Sequence, residues 1–155
     1  ATGNGPFNST NPPSSLVTLG SDVATNQNTD TYIAYCWTEI PGYSKFGTFI
    51  GNGSSDGAYV NLGFRPALII LKRTSSANWT LWDNKRDSYN PIQRFIYTDL
   101  NNAEGSGTDR LDFVSDGFKW RNSNTKWNAS GGVFIYFAYA EQTGTTPFRT
   151  STNSR

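Results

Sequence analysis

From Tyr32 to Glu141 the chain is written as short β-branched and aromatic stretches, broken at fairly even intervals by clusters of Gly, Pro, Asn, Asp and Ser. Punctuation this frequent leaves no room for long helices, and several short strands at even spacing are the signature of a sandwich or barrel. Strands are predicted at 32–39, 46–51, 58–62, 67–73, 80–83, 94–98, 112–114, 117–121 and 133–141. The turns between them are marked by Pro41-Gly42, the run 52–57, Asn90-Pro91, Gly105-Ser106-Gly107, Asp116-Gly117 and Ser130-Gly131-Gly132. Apolar residues keep helical spacing nowhere for more than about two turns, and Ser21 to Asn26 is the only weak helix candidate. The expected fold class is therefore all-β, a two-sheet antiparallel β-sandwich of jelly-roll form. Only 35% of the residues are apolar but 15% are aromatic. Phe, Tyr and Trp must then fill much of the interior, each burying roughly 150–250 Å².

A chain of 155 residues is the size of one domain, and such a domain buries about 70% of the surface its unfolded chain exposes. Both ends are polar and rich in Asn, Ser and Thr. The expected organisation is a polar N-terminal arm at 1–20, a β-sandwich domain at 21–142 and a polar C-terminal tail at 143–155.

Two segments echo each other. Tyr32-Ile33-Ala34-Tyr35-Cys36-Trp37-Thr38-Glu39 and Phe134-Ile135-Tyr136-Phe137-Ala138-Tyr139-Ala140-Glu141 share an order of aromatic, Ile, small or aromatic, aromatic, small, aromatic, small, Glu. Strands apolar on both faces belong in the middle of a covered sheet, so both are expected near the centre of the same sheet. Cys36, the only cysteine, is expected there as a small buried hydrophobe.

Composition removes several kinds of chemistry. No histidine is present, so serine triads and zinc sites of the usual make-up are excluded, and a Cys36 nucleophile would have no imidazole base. One cysteine forms no disulfide within the chain. A formal charge of +1 gives no broad positive field for a phosphate backbone, and nucleic acid is not an expected partner. Apolar runs stay far short of the roughly 20 residues that span a bilayer. The glycine-rich run 51–57 lacks a following helix and P-loop lysine and reads as a hairpin turn, not a phosphate cradle. No metal and no cofactor is expected.

Three groupings could carry a function. Glu39 and Glu141 end the two echoing strands, and a carboxylate pair roughly 5–5.5 Å apart is the machinery of a retaining glycosidase. The alternative is that each marks the point where a buried strand reaches water. The segment from Asn78 to Asn90 is the densest mixture of aromatic, amide, acidic and basic groups in the chain. Trp79, Trp82, Asp83, Arg86 and Tyr89 within it could stack on a sugar ring and take its hydroxyls. Period two sets Trp79, Leu81 and Asp83 on one side and Thr80, Trp82 and Asn84 on the other, which places at least one Trp in the core. Asp83 and Arg86 alternatively close a turn as an ion pair. Trp127, in the loop Trp120 to Asn128, is a further ligand-binding candidate, and that loop suits a binding surface or a subunit contact equally.

Four motifs in order, Gly63-Phe64-Arg65-Pro66-Ala67-Leu68-Ile69-Ile70-Leu71-Lys72, Asp83-Asn84-Lys85-Arg86-Asp87, Asp116-Gly117-Phe118 and Asn128-Ala129-Ser130-Gly131-Gly132-Val133-Phe134-Ile135-Tyr136, resemble an uncharacterised domain of marine tailed-phage structural proteins. The resemblance runs over nearly all of Tyr32 to Glu141. It implies a concanavalin-like or SPRY-like sandwich at the virion surface, in a tail fibre, a tail spike or a capsid decoration. It supplies no catalytic residues. The implied function is a non-enzymatic virion protein for host-surface glycan recognition or particle assembly. Its implied partners are copies of itself, as a homo-oligomer and in a fibre a trimer, together with other virion proteins and a host glycan. The alternatives are a jelly-roll glycoside hydrolase using Glu39 and Glu141, or a carbohydrate-binding module of a secreted enzyme.

Overall fold

A computed structural model describes residues 16–75, 77–108 and 110–141. The chain divides into two compact units, Ala1–Trp37 and Thr38–Arg155.

Among the described residues of the first unit a helical turn, α1 (Val23–Asn26), starts at Asp22, whose Oδ1 accepts from Ala24 N at 2.8 Å. That bond satisfies one of the donors a helix start leaves open. The Tyr32 hydroxyl donates to Val23 O and accepts from Gln27 N, both at 2.9 Å, closing the loop that follows. The strand predicted at 32–39 does not form: residues 31–39 adopt no regular structure, and Ile33 is 78% exposed. Cys36 is exposed as well, correcting its expected burial.

The described residues of the second unit form eight strands, β1 (Ser44–Ile50), β2 (Tyr59–Asn61), β3 (Pro66–Arg73), β4 (Thr80–Asp83), β5 (Phe95–Tyr97), β6 (Leu111–Val114), β7 (Gly117–Trp120) and β8 (Val133–Ala140), with one further helical turn, α2 (Thr125–Asn128). A five-stranded sheet has the order β1-β8-β3-β4-β5 and a three-stranded sheet the order β2-β7-β6. Every pairing is antiparallel, so the chain is an all-β sandwich, as its punctuation predicts. β8 lies inside its sheet, held by β1 from Ser44↔Tyr139 to Ile50↔Val133 and by β3 from Pro66↔Ala140 to Arg73↔Phe134. Both of its edges are thus taken. This is why the echoing segment 32–39 has no place beside it: β propensity expresses fit to a pleated neighbour, and without one an apolar stretch stays irregular.

Alternation along the strands aims Phe49, Ile69, Leu71, Trp82, Phe95, Phe134, Tyr136 and Ala138 of the larger sheet at Val60, Leu111, Phe113, Phe118 and Trp120 of the smaller one. Rings bridge the layers, with Phe49 5.8 Å from Phe118, Tyr136 5.8 Å from Phe118 and Trp82 5.4 Å from Trp120. Close approach requires a missing side chain at Gly57, where a Cβ would lie 2.6 Å from Trp120 Cβ and 2.9 Å from Asn128 Nδ2.

Asn128 is fully buried beneath that loop. Its Nδ2 faces Asn52 Oδ1 at 2.8 Å, Ser54 O at 2.9 Å and Asn122 O at 3.0 Å, and its Oδ1 accepts from Asn52 N at 2.9 Å. One side chain therefore pins the 51–57 connection to the loop that leads into α2.

Candidate functional site

The segment from Asn78 to Asn90 divides as period two predicts. Trp82 is 0% exposed, its ring 4.8 Å from Phe95 and 5.3 Å from Trp127, and its Nε1 donates to Thr80 Oγ1 at 3.3 Å. Trp127 is 3% exposed and lies 6.1 Å from Trp120 in a near-parallel stack. Neither ring has a face to offer a sugar, which corrects the expectation that both stack on a ligand. They form the aromatic centre of the core. Trp79 sits half-buried on the other side of the sheet, 5.7 Å from Phe137, with Lys72 Nζ 5.5 Å over its ring. Tyr89 is 86% exposed.

Asp83 and Arg86 meet as a turn-closing pair. Asp83 Oδ1 accepts from Lys85 N and Arg86 N, each at 2.9 Å, and its Oδ2 accepts from Arg86 Nε at 2.8 Å. Arg86 Nη1 continues to Glu104 at 2.5 Å, and this bond is the main reason the guanidinium holds its proton even more firmly than usual. Asp87 Oδ2 accepts from Gln93 N and Arg94 N at 2.7 Å. Asn90 clasps β6 through Nδ2 to Phe113 O at 2.8 Å and Oδ1 from Phe113 N at 3.0 Å. The polar groups that the sequence offers for sugar hydroxyls are thus spent holding their own loop in shape. Beside them Leu68, Leu81 and Ile96, with Asp83, Lys85 and Arg86, border a broad basin of about 610 Å³.

Glu39 and Glu141 are each bonded to donors of the scaffold. Glu39 Oε1 accepts from Phe46 N on β1 at 3.0 Å. Glu141 Oε2 accepts from Arg65 Nε and its Oε1 from Asn84 Nδ2, both at 3.0 Å. Arg65 in turn donates from Nη1 to Phe113 O at 3.1 Å, so this carboxylate helps tie the two sheets.

A different hollow forms where β3 and β5 end, near the β3–β4 connection and α2. Arg73, Asn78, Tyr97, Thr125, Lys126 and Trp127 line about 330 Å³, within the range of roughly 300–1,000 Å³ typical of small-molecule sites. Asn78, Lys126 and Trp127 belong to segments that the sequence singles out. Arg73 and Tyr97 read only as strand residues, although a cation closing the apolar run 67–73 is a signal that the strand leaves the core there. Asn124 Oδ1 accepts from Lys126 N at 2.9 Å and fixes the turn that carries Lys126 to the rim.

Among the described residues no helix is long and apolar enough to cross a membrane. No curated protein and no solved structure matches the chain. A family model for a domain of unknown function, DUF7483, matches residues 1–143, and the chain belongs to that family.

Proposed function

We propose that this chain is a non-enzymatic recognition domain displayed on a phage particle, in a tail fibre, a tail spike or a capsid decoration, where it binds host-surface glycan. The motif order set out above supports the phage setting and a concanavalin-like or SPRY-like form of the sandwich. The observation that carries the recognition role is the contrast between two polar clusters. Around Asp83 and Arg86 the hydrogen-bonding groups are consumed within the loop. Around the 330 Å³ hollow, the Arg73 and Lys126 charges have no carboxylate partner among the described residues. Uncommitted donors converging on a concave site, on a sandwich held rigid by its core, are what a binding module needs. The contacts of Glu39 and Glu141 with scaffold donors weigh against the hydrolase alternative.

Self-association belongs to the same reading. The outer face of the five-stranded sheet carries Leu68, Ile70, Leu81, Ile96 and Ile135, all half-exposed, an apolar surface suited to burial against further copies. A trimer is the form a fibre would take.

The test joins mass spectrometry of purified particles, a glycan array and competition of the isolated chain against phage adsorption. The reading expects the chain in the particle, binding to surface saccharide, and reduced adsorption. A chain missing from particles, or one that binds no saccharide and leaves adsorption unchanged, would refute it.

A further inference from the structure

The hollow bordered by Arg73 and Lys126 has a chemical bias of its own. Among the described residues its charged side chains are two cations, and no carboxylate lines it. Elsewhere among the described residues Arg65, Arg86, Arg94, Lys119 and Arg121 are paired with Asp or Glu, while Lys45, Lys72, Lys85 and Arg110 form no ion pair and line no hollow with a second unpaired cation. The nearby Asp99 turns its Oδ2 to Trp79 N at 3.1 Å and to Asn78 Nδ2 at 3.4 Å.

Two donors at this place are also unspent. Arg73 Nε and Trp127 Nε1 are buried without a hydrogen-bond partner, and Arg73 Nη1 reaches only Thr125 O at a long 3.5 Å. A buried donor left unpaired has lost its water without a substitute, so an acceptor that reaches it gains more here than at a hydrated surface cation. Arg73 is packed in position: a Cβ on Gly132 would come within 3.1 Å of its Nε. A guanidinium fixed in this way presents a planar fork that matches a carboxylate. Tyr97, Asn78 and Thr125 add hydroxyl and amide groups around it, the complement of a polyhydroxylated ring and not of a bare anion.

Resting on the glycan-recognition reading, we propose that this hollow selects acidic saccharides, with Arg73 and Lys126 holding the carboxylate of a uronic-acid-type sugar while Asn78, Tyr97 and Thr125 take hydroxyls.

The experiment is calorimetric titration of the full chain with oligogalacturonate, with neutral maltooligosaccharide, and with acetate or sulfate alone. The same titrations are run on Arg73→Gln, Lys126→Gln and a control, Lys85→Gln, whose cation borders the separate basin. Lys126 is exposed, so its variant keeps the fold even if Arg73→Gln disturbs it. The proposal expects oligogalacturonate to bind in a salt-sensitive way, at least about ten-fold more weakly in each hollow variant and unchanged in the control. Equal binding of acidic and neutral sugars, or unchanged affinity in Lys126→Gln, overturns the acidic selectivity and leaves the broader reading standing. Acetate or sulfate binding as tightly as the oligosaccharide reduces the hollow to an adventitious anion site and overturns it too. Binding of no saccharide at all overturns both.

Discussion

Replacing Asn128 with Ala removes the amide that pins the 51–57 connection to the loop before α2, and the structure lets the cost be worked out bond by bond. Asn122 O, in a residue only 8% exposed, loses its amide donor in a buried setting and bears the full penalty of an orphaned acceptor, about 1–3 kcal/mol. Asn52 N, Asn52 Oδ1 and Ser54 O belong to exposed residues and can turn to water. Each of those losses is then only the net worth of a hydrogen bond, at the low end about 0.5 kcal/mol. Together the substitution is expected to cost about 2.5–4.5 kcal/mol, which for a chain of this length lowers Tm by roughly 5–18 °C. Urea unfolding followed by tryptophan fluorescence is the assay, because Trp82, Trp120 and Trp127 are all buried. Asn128→Asp sharpens it. The new carboxylate would keep the Asn52 N donor but face three oxygen acceptors, so its folded pKa must rise above the ordinary value of about 3.9. Raised in this direction, the group does no harm below the unfolded pKa and destabilises increasingly as pH climbs past it. Asn128→Asp should therefore be weaker than Asn128→Ala near neutrality and recover toward about pH 4. A loss below about 0.5 kcal/mol for Asn128→Ala, within the range of ordinary surface substitutions, would refute the reasoning that this amide is the clamp.

Three further outcomes follow from the geometry. Asp83→Ala removes two backbone acceptor bonds and a largely buried partner of Arg86, and should cost about 1–2 kcal/mol, against under about 1 kcal/mol for Arg86→Ala; equal costs in urea unfolding would show that the ion pair and not the turn matters. Burial, aided by the Glu39 charge, pushes the Tyr136 phenol up, and burial does the same for Tyr59 and Tyr139. Groups raised this way stabilise the fold fully below the unfolded value near 10 and lose that contribution as pH rises through the folded one. Tyr136→Phe should accordingly show a smaller drop in urea midpoint between about pH 8 and about pH 11 than the unchanged chain, and an equal drop would be contrary. Cys36, being exposed, should react with a thiol reagent in the native state at close to one equivalent, and reaction only after denaturant would place it in a core after all.

What the sequence makes legible is what local chemistry decides. The strand at Thr80–Asp83 coincides with its predicted range, and its inward Trp82 and outward Leu81 and Asp83 follow from period two alone. Seven other predicted strands coincide with observed ones to within about two residues, because turn glycines and prolines end them where the chain must reverse. The segment 32–39 fails for the opposite reason. Its residues are as β-prone as those of β8, yet a strand is a relation between two segments, and the position beside β8 goes to β1, whose Ser44, Thr48 and Gly47 give a weaker apolar signal. Composition cannot rank competitors for one edge; the Ile40–Ser44 bridge and the turn Pro41 to Tyr43 that lead straight into β1 settle it.

The site is less legible for a related reason. Reading along the chain favours segments where aromatic and polar residues are adjacent, and in a sandwich adjacent residues point to opposite faces, so the aromatic half of such a segment is drawn into the core. Trp82 and Trp127 meet that fate. The hollow instead gathers single residues from four places: the end of β3, the connection after it, the end of β5 and the turn α2. Asn78, Lys126 and Trp127 stand in segments that such reading picks out, but nothing along the chain joins them to Arg73 or Tyr97. What distinguishes Arg73 and Lys126 is that they meet at one hollow where no described carboxylate joins them, and such a meeting is a property of three-dimensional neighbourhood that no spacing along the chain encodes. Charge count hides it as well: 13 cations against 12 anions read as near neutrality, while the fold pairs Arg65, Arg86, Arg94, Lys119 and Arg121 with carboxylates and gathers Arg73 and Lys126 at one mouth.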